Sequence, residues 1–429
     1  MKLPSLDPEQ QREFAVDVVR KLRGRGFEAF WAGGCVRDRI LGRTPKDYDV
    51  ATTATPVEIR QVFGMRRTVA VGAAFGVITV VGPKTAGHVE VATFRQDAAY
   101  ADGRHPDSVE FSTPEADARR RDFTINGLFY DPLDDRVIDY VGGQDDLARK
   151  ILRAIGDPQV RFSEDKLRLL RAARFAAAFG FTLEPATRDA VRAMAPQITI
   201  VSAERIAAEM RLMLVHESRA RAVVLLSEVG LLKAILPELT AANEPDTLTA
   251  TGRPGEEAWS TALKVLETVS KPCFPLALAA LLHTFVDSAG AAEICRRWKL
   301  SNHETHDTCW LIENQSALVG ARQMAWPKLQ RTLISAQIDE LLALHEAMAR
   351  AAGRDADDLE HCRELLKMPP EQLNPPPLLT GDDLIAHGVP RGKQYQRLLE
   401  AARDAQLEKR VLTKQEALAL VDELQRKGS

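Results

Sequence analysis

The chain has 429 residues, too many for one compact core and enough for two to four domains. Apolar residues make up 45% and charged residues 27%, ordinary for a soluble globular protein, and no apolar run reaches membrane-spanning length. A formal net charge of −3 argues against an indiscriminate nucleic-acid binder and leaves room for local basic patches.

Residues 1–150 read as an α/β head. The stretch MKLPSLDPEQQREF lacks the apolar core of a secretory leader, so a cytoplasmic location is expected. Residues 8–25 have the apolar spacing of an amphipathic helix, and residues 27–31 read as a strand. Residues 33–50 then read GGCVRDRILGRTPKDYDV. Gly33 and Gly34 carry no Cβ, which lets backbone N–H groups come close to a triphosphate. Side chains alternate along a strand, so Asp47 and Asp49 are expected on one side of a strand end. Two such carboxylates can hold a pair of hard divalent cations, as two-metal phosphoryl transfer requires. Read alone, Asp-x-Asp is equally at home in a turn or a helix cap. Its weight comes from the elements that follow it in order.

Val77–Val81 and His88–Phe94 alternate as strands, and Glu90 points opposite to its apolar neighbours Val89 and Val91. The polar segment Gln96–Phe111, QDAAYADGRHPDSVEF, reads as a mobile loop. After Gly156-Asp157-Pro158 the chain turns helical, with strong patterns over 162–179 and 203–214 and apolar helices through 220–350. Basic patches fall at Arg119–Arg121, at Lys166, Arg168, Arg171 and Arg174, and at Arg205, Arg211, Arg219 and Arg221. Asn374-Pro375-Pro376-Pro377 marks a linker, and two more helices are expected over 380–429. The five cysteines, Cys35, Cys273, Cys295, Cys309 and Cys362, have no metal-ligand spacing and read as reduced thiols.

The order Gly-Gly, basic helix, Asp-x-Asp resembles the nucleotidyltransferases of the DNA polymerase beta superfamily. GGCVRD…KDYDVAT resembles one branch in particular, the class II tRNA nucleotidyltransferases and the bacterial poly(A) polymerases. The resemblance implies an α+β fold: a small mixed sheet with helices as catalytic head (1–150), then an all-α neck (151–225), body (226–373) and tail (374–429). It implies that Asp47 and Asp49 hold Mg²⁺ and that Glu90 helps position the 3′-hydroxyl. RRDFTIN resembles the family's sugar and triphosphate motif, which implies Arg121 on phosphate and Asp122 and Asn126 on ribose hydroxyls. Gly33, Gly34 and Arg37 are expected at the triphosphate. Asp139–Leu147 resembles the hinge between head and neck.

EDKLR, with Glu164, Asp165 and Arg168, resembles the motif that reads the base. Cytosine and adenine both offer an amino donor beside a ring-nitrogen acceptor, which an aspartate beside an arginine complements. Guanine and uracil present the reverse order and would leave buried groups unpaired. Read alone, Asp165 and Arg168 would be an intrahelical pair. Arg171 and Arg174 are assigned to phosphate or to helix–head contacts, and Glu204 and Glu209 to bracing the neck.

Leu282-His283 resembles the start of a metal-dependent phosphohydrolase helix, but Thr284 stands where the metal-binding aspartate would be, so a body without a metal site is expected. PPPLLTGDDLIAHGVPRG resembles the tail that grips the tRNA elbow. The reaction implied is template-independent addition of C, C and A to the tRNA 3′ end from CTP and ATP, releasing pyrophosphate. Poly(A) polymerase, A-only and CC-only enzymes are the near alternatives. A phosphohydrolase and an inactive RNA-binding relative are the distant ones. No membrane and no obligate protein partner are expected.

Overall fold

In the computed structural model, the described residues are 6–70, 76–97, 109–239, 249, 251–252, 255–390, 392 and 394–428. Contacts divide the chain into two compact units, Met1–Pro237 and Glu238–Ser429.

The first unit is built on a seven-stranded mixed sheet. Its strands are β1 (Ala29–Ala32), β2 (Asp49–Thr52), β3 (Thr68–Val69), β4 (Val77–Val81), β5 (His88–Thr93), β8 (Phe129–Asp131) and β9 (Arg136–Ile138), in the order β3-β4-β5-β2-β1-β8-β9. A separate antiparallel pair, β6 (Arg95–Asp97) and β7 (Val109–Phe111), follows β5. Both ends of the expected 96–111 loop are therefore strands; its middle, 98–108, lies outside the described residues. Among the described residues of the seven-stranded sheet only β2 and β5 pair in parallel, with Asp49 opposite Glu90 and Val50 opposite Val91.

Helix α1 (Pro8–Arg23) starts where Asp7 accepts the Glu9 N–H at 2.9 Å and Pro8 pre-sets φ. It lays Phe14, Val18, Val19 and Leu22 on one face of the sheet. Phe30, Phe94 and Phe129 form a separate aromatic cluster, with centroids 5.7–6.4 Å apart. The remaining head helices are α2 (Gly34–Ile40), α3 (Pro56–Phe63), α4 (Pro114–Arg119) and α5 (Gly143–Arg149). Asp139 starts α5 by accepting the N–H groups of Val141, Gly142, Gly143 and Gln144 at 2.8–3.1 Å.

The helix expected over 162–179 is two helices, α6 (Pro158–Glu164) and α7 (Leu167–Phe179). Asp165 causes the break. It is extended, at φ −148° and ψ 108°, and its Oδ1 accepts the Leu167 N–H at 3.0 Å. That local bond offers the backbone an alternative to the helix. Helices α8 (Pro185–Met194) and α9 (Ala203–Leu214) follow, and α9 packs on α7.

The described part of the second unit is helical. Its last three helices, Gly381–Ala386, Gln394–Leu407 and Lys414–Gly428, share a core around Leu384, Leu398 and Val421. The proline run is not a free linker. Arg403 donates to Pro375 O at 2.6 Å and to Asn374 Oδ1 at 2.8 Å, and Gln406 donates to Pro376 O at 2.7 Å. Two prolyl carbonyls and the Asn374 side-chain amide are thus taken by one helix. No helix of the described residues is long and apolar enough to cross a membrane.

Candidate active site

Asp49 opens β2, whereas Asp47 lies in the bend before it, so only one of the pair is on a strand. The alternation survives regardless. Tyr48 is buried against Trp31, with centroids 4.7 Å apart, and Asp47 and Asp49 are exposed on either side of it. The parallel register sets Glu90 beside Asp49. Asp49 keeps open surface, yet the protein around its carboxyl displaces enough water to matter. That desolvation first, then Asp47 and Glu90, push its pKa up to about 6, against the pull of Arg121. Carboxylates that repel one another in this way are the hard-oxygen donor set that suits a divalent cation. Among the described residues no three acidic, His or Cys side chains are close enough to enclose a metal alone. The set fits a cation that takes its remaining ligands from substrate oxygens and water.

Asp49 lines a cleft of about 540 Å³ whose walls also carry Gly33, Gly34, Arg37, Arg121, Asp122, Asn126, Asp165, Arg168 and Arg171. Ten of the expected site residues thus meet in one cavity. Gly33 sits at φ +69°, and a Cβ there would come 2.7 Å from Arg121 Nη1. Its own N–H is spent on Leu128 O at 3.0 Å, so close approach, not that N–H, is what this glycine supplies.

The arginines are held by buried carboxylates. Asp117 on α4 is 1% exposed and was not singled out from sequence. Its Oδ1 accepts Arg120 Nε and Nη2 at 2.8 and 2.7 Å, and its Oδ2 accepts Arg121 Nε and Nη2 at 3.2 and 2.9 Å. Burial alone would raise the Asp117 pKa; Arg121 and Arg120 outweigh it and the carboxyl titrates low. Its signal was the spacing: residues three and four ahead on a helical turn are both arginine.

Asp122 is saturated. Oδ1 accepts the Phe123 N–H at 2.8 Å and Asn126 Nδ2 at 3.0 Å, and Oδ2 accepts Arg171 Nε at 2.9 Å and Nη2 at 2.6 Å. A carboxylate has about four acceptor positions, and protein donors fill them. Asn126 Oδ1 in turn accepts Arg37 Nη1 at 2.7 Å. The ribose contact expected of Asp122 and Asn126 would therefore have to break a bond within this network. Arg174 binds Glu209 Oε2 at 2.6 Å, and Arg171 lies 3.8 Å from Oε1, so Glu209 ties α9 to α7.

Asp165 and Arg168 both face the cleft but are not each other's partners. Asp165 Oδ2 accepts Arg205 Nη2 at 2.7 Å. Arg168 donates to Arg161 O at 2.8 Å and pairs with Glu164. Glu164 does not line the cleft; it links Arg161 and Arg168. Arg205, known from sequence only as part of a basic patch, belongs to the cleft wall.

In the second unit His283 is buried, with Nδ1 2.9 Å from Ala280 O, and Thr284 donates to Ala258 O at 3.0 Å. Both are core groups. The full chain is expected not to open 2′,3′-cyclic nucleotides to the 2′- or 3′-monophosphate with any divalent metal. Hydrolysis that persists in Asp49→Ala would contradict this.

Comparison with known proteins matches three stretches of the chain. The poly A polymerase head domain family matches residues 29–153, a probable RNA and SrmB binding site of polymerase A matches 180–243, and a putative tRNA nucleotidyltransferase domain 2 matches 275–421. A CCA-adding enzyme of Geobacillus kaustophilus is 33% identical over 399 residues, covering 91% of each chain. Poly(A) polymerase I of Haemophilus influenzae is 36% identical over 248 residues, 55% of this chain and 54% of that one. The Bacillus stearothermophilus CCA-adding enzyme in complex with CTP superposes with a TM-score of 0.74 at 28% identity, over 97% of this chain and 98% of that one.

Proposed function

We propose, for a chain that belongs to the family of the CCA-adding enzymes, the template-independent addition of C, C and A to the 3′ end of tRNA from CTP and ATP, with release of pyrophosphate. The observation that carries the reading is the cleft itself, in which Asp49, in register with Glu90, shares the walls with arginines fixed by Asp117 and Asp122. The four-part division enters this proposal: 1–150 as catalytic head, 151–225 as neck, 226–373 as body and 374–429 as a tail for the tRNA elbow.

Asp47 and Asp49 would hold Mg²⁺, which when bound activates the attacking oxygen and neutralises charge on the phosphates. Glu90 orients the 3′-hydroxyl. Arg121, fixed through Nε and Nη2 by Asp117 and through Nη1 on Asn126 O at 3.3 Å, lines the cleft for the triphosphate, with Arg37 and Gly34 beside it. Because those cations are held before substrate arrives, little reorganisation is needed at the transition state. Asp165 accepts from the exocyclic amine of C or A. Arg168, whose Nε is engaged by nothing among the described residues, donates to the ring nitrogen.

Two experiments test this. The purified chain is given tRNAs ending before C, CC or A together with labelled CTP or ATP, and the products are sized. Growth that stops at CCA supports the proposal; long A tracts would favour a poly(A) polymerase, and a single A or CC the split activities. Asp165→Ala is expected to relax rejection of UTP and GTP by up to about 1–3 kcal/mol, the worth of one buried hydrogen bond. Full C and A preference at normal turnover would move base reading elsewhere.

A further inference from the structure

We propose that a groove behind the Asp47–Asp49 edge grips backbone phosphates of the RNA whose 3′ end is extended. The groove encloses about 370 Å³ between the start of α1 and the loop joining α2 to β2. Its floor is Trp31 and Tyr48, both buried. Its walls carry Arg12, Arg39 and Arg43, all exposed. Arg39 is partly neutralised by Asp135 at 3.2 Å. Among the described residues Arg12 and Arg43 meet no carboxylate in an ion pair, and Glu9 is the only acidic residue of the lining. The Arg43 guanidinium lies 5.2 Å from the centre of the Phe179 ring, which fixes it at the end of α7.

The floor is ring surface, and the polar groups stand at the rim. Guanidinium groups at the rim suit a phosphate, with its planar-fork matching and its surplus of acceptors.

The position selects RNA over a free nucleotide. Tyr48 stands between Asp47 and Asp49 in the chain and points to the opposite face, so the groove lies on the other side of the same strand end from the two carboxylates. A strand delivered there carries its last phosphodiesters over the adjoining surface. Contacts to phosphate fix register without reading sequence. That is what a strand needs when its terminal base changes at each addition. The inference rests on the polymerising reading above.

Arg12→Gln and Arg43→Gln, singly and together in the full chain, test it. Readouts are tRNA affinity at about 50–300 mM salt, the KM for CTP, and inhibition by pyrophosphate. The double variant is expected to bind tRNA about tenfold more weakly at low salt and to lower the log–log salt slope by about 1–2, one phosphate contact per arginine. The KM for CTP stays as in the parent, and Arg43→Lys recovers the slope. Unchanged tRNA affinity and slope would overturn the proposal. So would a change confined to pyrophosphate inhibition, which would make this a free-phosphate site, or an Arg43→Lys variant as weak as Arg43→Gln, which would reduce Arg43 to packing on Phe179. Failure of the polymerising reading looks different: the parent would bind tRNA with the full salt slope and incorporate nothing.

Discussion

Asp49→Ala is expected to stop nucleotide incorporation, with kcat down by at least about 10³-fold, equivalent to about 4 kcal/mol of transition-state stabilisation. The loss is chemical. Asp49 lies in register with Glu90 and beside Asp47, and removing it would take from the proposed cation site the carboxylate the other two flank. Affinity for tRNA should hold within about twofold, because a carboxylate contributes no attraction to phosphate. Stability separates the chemical effect from unfolding. The raised pKa of Asp49 means that the folded state disfavours its charge, so this group's contribution to stability falls as pH rises through about 6. Asp49→Asn should therefore melt no lower than the parent at pH 7 while remaining inactive. Proton and cation compete for the same oxygens. The acid limb of kcat/KM should lie near pH 6 at limiting Mg²⁺ and move lower as Mg²⁺ is raised. Near-normal turnover in Asp49→Ala would sink the two-cation assignment.

Much of this site was legible through motifs that resemble the family's; alternation added only that Asp47 and Asp49 share a side and that Glu90 points away from Val89 and Val91. The parallel pairing of the two strands is what sets Glu90 beside Asp49. What was not legible depends on partners distant in sequence. Asp165 and Arg168 read as one helical pair, but the Asp165 side chain bonds the Leu167 N–H and Arg205, and the helix breaks there. Composition over 162–179 favours helix so strongly that nothing local marks the break. Asp117 precedes Arg120 and Arg121 by three and four residues, but only the fold turns it inward beneath them. The proline run read as a linker because proline cannot donate, whereas its carbonyls, which periodicity does not report, anchor Arg403 and Gln406.

Asp122 gives the other large effect. Asp122→Asn should destabilise the first unit and impair catalysis together, because it removes the charge that balances Arg171. Breaking a buried pair costs about 3–5 kcal/mol; with a third of the Arg171 side chain in solvent and Glu209 3.8 Å away, about 2–3 kcal/mol is expected here. The pH dependence is the signature. Burial alone would raise the Asp122 pKa, but Arg171 and the Asn126 amide overcome it and hold the carboxyl at about 2. A carboxyl depressed in the folded state stabilises above its unfolded value and loses that contribution as pH falls toward the folded one. Unfolding in urea should therefore show the parent losing on the order of 2 kcal/mol between about pH 4 and pH 2, with that part of the slope missing in Asp122→Asn. Catalysis falls for a connected reason. Asn126, held by Asp122, fixes Arg37, so kcat drops as the cleft wall loosens, and CTP and dCTP should suffer alike. A direct ribose contact predicts the opposite pattern: parent-like stability and acid profile, with discrimination against dCTP lost. That outcome would return Asp122 to the substrate and show that the network opens when nucleotide binds.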